Sequence, residues 1–342
     1  MRLLARLLAL CSLPLLTSNA LAAPVADLYQ VRESVASQQA TERQRALTEA
    51  LDTLVLRLTG DPQASQRPEL EALRAEPQQL VSRYVYEGNT LVVDFDATTV
   101  TTALRAAGLS LWGSDRPELL AWWMTHTPDG PQLVGDAQES ATWLQAAAQR
   151  RGLPVRLPLA DLTEQMLVTP AVLTAPDAQE LRKVSVRYGV DALLGVQARQ
   201  TAGGWKARWQ VWIGKDMLQG EANADSLPGL SDAVLRDVHQ RLAPRFVVRP
   251  ETGITLTLVV DHSDLIRYAE LERLLEPFQP RLRKVEGSRL TYRLQAGPDQ
   301  LRSQLALLRL REVPPPVRLT PNGASEPGAL AQAHADNALY FQ

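Results

Sequence analysis

The sequence predicts an α+β protein of three small mixed-sheet domains, the last of them ferredoxin-like in the order β-α-β-β-α-β. Two observations predict it. Helix-period and strand-period hydrophobic patterns alternate along the whole chain. The 342 residues, 45% hydrophobic and 22% charged, suffice for two or three globular domains.

The N-terminus reads as a processing segment. Arg2 and Arg6 make a positive start, and Leu7 to Leu16 are apolar. That stretch is too short for a bilayer, which needs about 20 residues. Ala20-Leu21-Ala22 presents small residues where a signal peptidase reads, so residues 1–22 are expected to be a signal peptide cleaved after Ala22. An uncleaved anchor is the competing reading. Leu10 precedes Cys11, which does not fit a lipoprotein signal, and cleavage leaves no cysteine in the mature chain. Disulfides, thiolate catalysis and cysteine-bound zinc are thereby excluded. The formal net charge of −2 becomes more negative once Arg2 and Arg6 are lost. A mildly acidic chain lacks the footprint of a nucleic-acid binder. No other segment approaches a membrane span, so the expected locale is the periplasm, with no nucleic acid and no membrane-spanning segment.

Residues 23–110 form the first expected domain. Leu28 to Val35 is a candidate strand. Ala46, Leu47, Ala50, Leu51, Leu54, Val55 and Leu58 recur at three and four, and Gly60 stops that helix. A helix around Leu70 to Leu80 follows. Ser82 to Tyr86 and Leu91 to Asp96 flank Gly88-Asn89 as a hairpin, and Ala97 to Gly108 is helical.

Residues 111–250 form the second. Leu119 to Met124 is an apolar strand, Ala137 to Arg151 a helix stopped by Gly152, and Leu153 to Leu157 a strand. Asp161 to Pro176 is a looser stretch. Leu181, Val184 and Tyr188 mark a helix before Gly189, and Ala192 to Val196 is a buried strand. Gly203-Gly204 turn the chain into a strand where Trp205, Ala207, Trp209, Val211 and Ile213 alternate with polar residues and Trp212. A helix from Leu227 to Leu242 closes one mixed sheet.

Residues 251–313 form the third. Ile254 to Val260 is a strand, and Ser263 to Leu275 a helix with Ser263 as N-cap. Leu282 to Val285 and Leu290 to Leu294 pair across Glu286-Gly287-Ser288; Pro298 to Leu307 is helical; Leu308 to Val313 is the last strand. From Pro314-Pro315-Pro316 the composition shifts, so 314–342 is expected to be a mostly disordered tail. Its end, Leu339-Tyr340-Phe341-Gln342, is apolar and resembles the end of a protease tag site, from which Asn337-Ala338 departs.

Catalytic signals are sparse. Asp261-His262-Ser263-Asp264 carries metal-ligand residue types, but a helix cap accounts for it better. Asp94 and Asp96 share a strand face, and exposed alternation explains them. The four histidines share no short spacing, and there is no P-loop, dinucleotide fingerprint or G-x-S-x-G elbow. No catalytic, cofactor-binding or metal residue is therefore assigned, and no cofactor is expected.

Tryptophan is more informative: seven Trp stand against four Phe. Trp122 and Trp123 are adjacent and point opposite ways on a strand, as do Trp209 and Trp212. Either the sheet is covered on both sides, or one Trp is an exposed anchor for a partner. Coverage is the commoner use of Trp. Asp115-Arg116-Pro117 beside Trp112 reads as an interdomain brace, with an exposed recognition patch as the alternative. The candidate interaction residues are Trp112, Arg116, Trp122, Trp123 and Trp212.

Leu54 to Gly60 (Leu-x-x-Arg-Leu-Thr-Gly), Trp112 to Pro117 (Trp-Gly-x-x-Arg-Pro) and Gly189 to Gly195 (Gly-x-Asp-Ala-Leu-Leu-Gly) occur together. Over roughly 25–312 the chain resembles an uncharacterised proteobacterial family of secreted proteins, a domain of unknown function. The resemblance implies a periplasmic setting and no defined activity. In element order the central segment is similar to the α+β modules of envelope assembly factors: the N-terminal domain of the Tol–Pal propeller protein, the curli secretion lipoprotein, and outer-membrane activators of peptidoglycan synthases. Such modules dock on envelope proteins and catalyse nothing. The expectation is a non-catalytic periplasmic adaptor or accessory factor, partnered by an envelope or inner-membrane protein. A carrier of an apolar ligand such as a lipid is one alternative, and a hydrolase with a dispersed site another.

Overall fold

The computed structural model describes residues 27–247, 254–278, 280–314 and 337–342. The expected signal peptide and most of the expected tail lie outside these residues. Three sheets organise the rest.

The first carries β1 (Gln30–Ser34), α1 (Ala40–Thr59), α2 (Glu71–Ala75), β2 (Val81–Glu87), β3 (Thr90–Phe95) and α3 (Ala97–Ala106). Its strands run antiparallel in the order β1-β3-β2. The seven apolar residues predicted for one face of α1 are all buried. Gly60 ends α1 at φ 71°, and a Cβ there would sit 2.2 Å from that of Ala243, so the stop and a close approach by a later helix both require glycine. The helix expected over Leu70 to Leu80 is shorter, because a 3₁₀ turn opens at Pro77.

The second carries β4 (Leu119–Thr127), β5 (Gly130–Leu133), α4 (Glu139–Arg151), β6 (Val155–Arg156), α5 (Leu162–Leu167), α6 (Pro170–Thr174), α7 (Gln179–Ser185), β7 (Ala192–Thr201), β8 (Gly204–Ile213), β9 (Asp216–Ala224) and α8 (Leu227–Phe246). The sheet order is β5-β4-β7-β8-β9, with β6 beside β4. β4 runs parallel to β6 and β7, and the other pairs are antiparallel. Strand alternation divides the aromatics between two cores. Trp123, Val196 and Trp209 pack with α4 and α8, while Trp122, Leu193 and Trp212 pack with Leu173 and Leu181 of the α6–α7 layer. The sheet is thus covered on both faces. Three features depart from expectation. The strand at Leu153 to Leu157 shrinks to β6, the polar strands β5 and β9 join the sheet, and α5 and α6 occupy the stretch read as loose. Of Gly203-Gly204, Gly204 alone takes a positive φ, 117°.

The third carries β10 (Ile254–Val260), α9 (Leu265–Leu275), β11 (Arg281–Glu286), β12 (Arg289–Ala296), α10 (Pro298–Leu307) and β13 (Ala338–Phe341). Its strand order, β11-β12-β10-β13, is ferredoxin-like. The cap of α9 is Asp264 rather than Ser263: its carboxylate accepts from the Arg267 N–H at 2.8 Å. The expected last strand, Leu308 to Val313, is not one. Arg309 takes a left-handed φ of 57° and bends the chain out of α10, leaving a lone bridge from Glu312 to Phe341. The fourth strand is instead β13, so the end of the expected disordered tail is ordered sheet with Leu339 and Phe341 in the core. α10 docks this domain on the end of α8, where Gln304 donates to the Phe246 carbonyl at 3.4 Å. An Arg273–Asp115 ion pair at 3.3 Å reaches the junction.

Candidate functional site

All five candidate interaction residues are buried: Trp112, Arg116, Trp122, Trp123 and Trp212 are each at most 3% exposed. An exposed Trp anchor is therefore not what they provide. Trp112 and Arg116 meet at the junction of the first and second domains, and the other three belong to the sheet cores.

The junction is built from two helix ends. The last carbonyls of an α-helix lack intrahelical partners and carry partial negative charge. At the end of α1, Arg57 O accepts from the Arg116 guanidinium at 2.8 Å, and Leu58 O from the Trp112 N–H at 2.6 Å. At the end of α4, Arg116 donates to Arg151 O and Gly152 O at 3.3 and 3.0 Å. Arg57 answers from α1, donating to Arg150 O at 3.3 Å and to Leu28 O at 2.6 Å in the entry to β1. The Arg116 guanidinium lies 4.4 Å from the Trp112 ring centroid, and Trp112 stacks on His239 and Phe246 of α8. Burial pushes the Arg116 pKa down to about 9 and that of Arg57 to about 10, so both stay charged at neutral pH. Burial, followed by the nearby Arg116 charge, pushes His239 down to about 3. Neutral His239 donates through Nε2 to Arg57 O at 3.2 Å. The expected brace is therefore present. Its cations use backbone carbonyls, not carboxylates, as partners.

The other features singled out in the sequence take ordinary roles. Asp96 caps α3 by accepting from Thr99 N–H at 2.8 Å, and Asp94 accepts from Gln30 and Arg83. Asp261 pairs with Arg289 at the end of β10. Among the described residues no three His, Cys, Asp or Glu converge as a metal site.

An exposed apolar feature lies in and beside Asp161 to Pro176, the stretch expected to be loose. Leu159, Leu162, Met166, Leu167 and Val186 are 51–77% exposed. They ride on a tightly held layer. Asp161 caps α5 by accepting from Glu164 N–H at 2.9 Å. The buried Glu164 carboxylate accepts from the Tyr188 hydroxyl at 2.6 Å and pairs with Arg187, which also reaches Asp161 at 2.9 Å. Tyr188 meets Trp122 edge-on at 6.2 Å, and Trp122 donates from Nε1 to Ser185 Oγ at 2.9 Å. Trp122 thus anchors the layer from beneath while the apolar residues of α5 face outward. Gly195 leaves room for the Trp212 ring under this layer: a Cβ there would lie 3.1 Å from Trp212 and 3.4 Å from the Leu173 carbonyl oxygen of α6.

Beside this layer is an open groove of about 860 Å³. Pro170, Ala171 and Thr174 of α6 form one wall; Gln197, Arg199, Lys206, Arg208, Glu221 and Asn223 of β7, β8 and β9 contribute the rest. Arg208 pairs with Glu221 across the sheet at 2.9 Å. Among the described residues β9 also ends the sheet, and no further strand pairs with its outer edge. Two sequence signals could have marked α5: Asp161 three residues before Glu164, a capping pattern, and Leu162 four before Met166 on one helix face.

A family model described as Domain of unknown function (DUF8605) matches residues 22–113. That span covers the first domain and stops within the Trp112–Pro117 junction, so the central and third domains lie outside it. No curated protein and no solved structure matches the chain.

Proposed function

We propose that the protein is a non-catalytic accessory factor of a cell-envelope protein complex, docking on its partner through the α5–α7 layer of the central domain. The observation that carries this reading is the set of apolar side chains on a rigid support. Leu162, Met166 and Val186 are 73%, 69% and 77% exposed, while Glu164, two positions from both Leu162 and Met166, is 1% exposed. Exposed apolar groups on a well-ordered surface mark interaction sites. The groove and the open edge of β9 next to it favour a protein partner, because an edge strand supplies unpaired backbone donors and acceptors.

A periplasmic setting is supported by Arg2, Arg6, the apolar Leu7 to Leu16 stretch and Ala20-Leu21-Ala22. The resemblance to secreted proteobacterial proteins supports it as well. Among the described residues no helix is long and apolar enough to cross a membrane. Intact mass of the protein recovered from the periplasm checks export, with Ala23 expected as the first residue.

The docking test is photocrosslinking in cells, with the reactive side chain placed at Leu162 or Met166 and, as control, at Val85 on the first sheet. One envelope protein captured from both α5 positions and not from Val85 is the expected result. Identical capture from all three positions, or none from α5, overturns the reading.

A further inference from the structure

In a β-α-β-β-α-β domain the strand after the second helix pairs directly with the first strand. Here that place is taken. β13 lies parallel to β10, with Leu258 opposite Leu339 and Val260 opposite Phe341. The segment that follows α10 is displaced one position outward, to the far side of β13. Its Val313 N–H donates to Tyr340 O at 2.9 Å, and Arg311 and Gln342 exchange both backbone hydrogen bonds at 2.9 and 3.0 Å. On the inner side, Thr257 N–H donates to Asn337 O at 3.1 Å and Asp261 N–H to Phe341 O at 2.9 Å. A four-residue peptide is thus hydrogen-bonded along both edges, in a channel walled by β10 and Arg311–Val313.

The channel reads side chains as well as backbone. Leu339 and Phe341 point into the core with Leu256, Leu258, Leu271 and Leu310, and are 9% and 3% exposed. Ala338 and Tyr340 alternate to the open face. In sequence β13 is remote from Pro314, and its place in the channel is fixed by the contacts it makes there.

We propose that the channel between β10 and Arg311–Val313 is a peptide-acceptor site for an extended C-terminal peptide of Leu-x-Phe spacing, filled in cis by residues 338–341 and able to take the same peptide from a second copy of the chain. Parallel strand addition supplies the backbone contacts, and two apolar pockets supply selectivity. The peptide that fits is one every copy carries. Covalent linkage within one chain gives the cis strand its advantage over the same peptide from a second copy. This site is separate from the α5–α7 surface and does not depend on its role.

The test uses the full chain with a protease-cleavable sequence inserted between Gly323 and Ala324. After cleavage, the C-terminal fragment is expected to co-elute with the body of the protein. A fluorescent peptide of residues His334–Gln342 should then replace it, read by anisotropy, and bind the uncleaved chain at least tenfold more weakly. The same peptide with Phe341→Asp should not bind. A fragment that cannot be displaced by excess peptide, or equal binding of the Phe341→Asp peptide, overturns the proposal. Amide exchange on the intact chain gives a second reading. The Thr257 and Asp261 amides, which face β13, should exchange faster than the β10 amides that face β12. Equal protection on the two sides makes β13 an inseparable part of the sheet and overturns the proposal.

Discussion

At the junction of the first two domains, charge lies inside; on the α5–α7 layer, apolar groups lie outside. Arg116 is 1% exposed and Leu162 is 73% exposed. Both inversions of the usual pattern are held by dense local hydrogen bonding, yet they differ in what completes them. At the junction the carbonyl ends of α1 and α4 receive the donors of Arg57 and Arg116 from within the fold. The layer is tied beneath its surface through Glu164, Tyr188 and Arg187 and leaves apolar area facing water. Buried guanidinium groups taken up by backbone carbonyls are architecture; exposed apolar groups on a hydrogen-bonded support favour the docking role proposed above.

The largest expected effect breaks the junction. Arg116→Met removes the donors shared by two helix ends and should cost about 3–5 kcal/mol, measured by urea unfolding. Gly152→Ala should cost about 2–3 kcal/mol in the same assay. Gly152 holds a φ of 62°, and a Cβ there would meet Arg57 Cγ at 2.6 Å, displacing the second guanidinium.

His239 sharpens the comparison through pH. Its pKa is pushed down to about 3 in the fold, against about 6.5 for an unfolded histidine. Between those values the unfolded chain binds a proton that the folded chain does not. The His239 contribution is therefore complete above pH 6.5 and declines by about 1.4 kcal/mol per pH unit as pH falls toward 3. The His239→Phe variant should show a shallower decline of stability between pH 6 and 4 in matched thermal melts. The smallest effect on folding belongs to the layer: Leu162→Asp with Met166→Asp should change stability by less than about 0.5 kcal/mol. The same pair should abolish the α5 crosslink. A large loss of stability instead would assign those residues to the fold.

Much of the architecture was legible because its signals are local. The apolar stripe of α1, the glycine stops at Gly60, Gly152 and Gly189, and the Pro298 start of α10 all depend on near neighbours in sequence. The polar edge strand β9 escaped because its face is read only once Trp209 is known to lie opposite Gly220. β13 escaped because its partner β10 is distant in sequence and a composition shift lies between them. The brace was legible as a junction, but carbonyls carry no sequence signature, so the partners of Arg116 were not. The exposed residues of α5 were missed for a different reason. Tryptophan is the conspicuous residue type in the sequence, and the fold uses it for its cores, while Leu162 and Met166 look like ordinary helix residues until their surroundings are known.

The crossed capping of α1 and α4 also sets a timetable for synthesis. The core of the first domain draws on residues 28–111, and its apolar contacts are all present once that stretch has emerged. Arg57, however, reaches for Arg150 O, and Arg116 bridges Arg57 O to Gly152 O. At about 5–20 residues per second, several seconds separate the translation of Arg57 from that of Gly152. The last carbonyls of α1 gain their donors once Trp112 and Arg116 have emerged, and the two guanidinium groups wait longer, for the carbonyls of Arg150 to Gly152. The two arginines act as a latch that closes late, and the first domain reaches its final stability when the second begins to form.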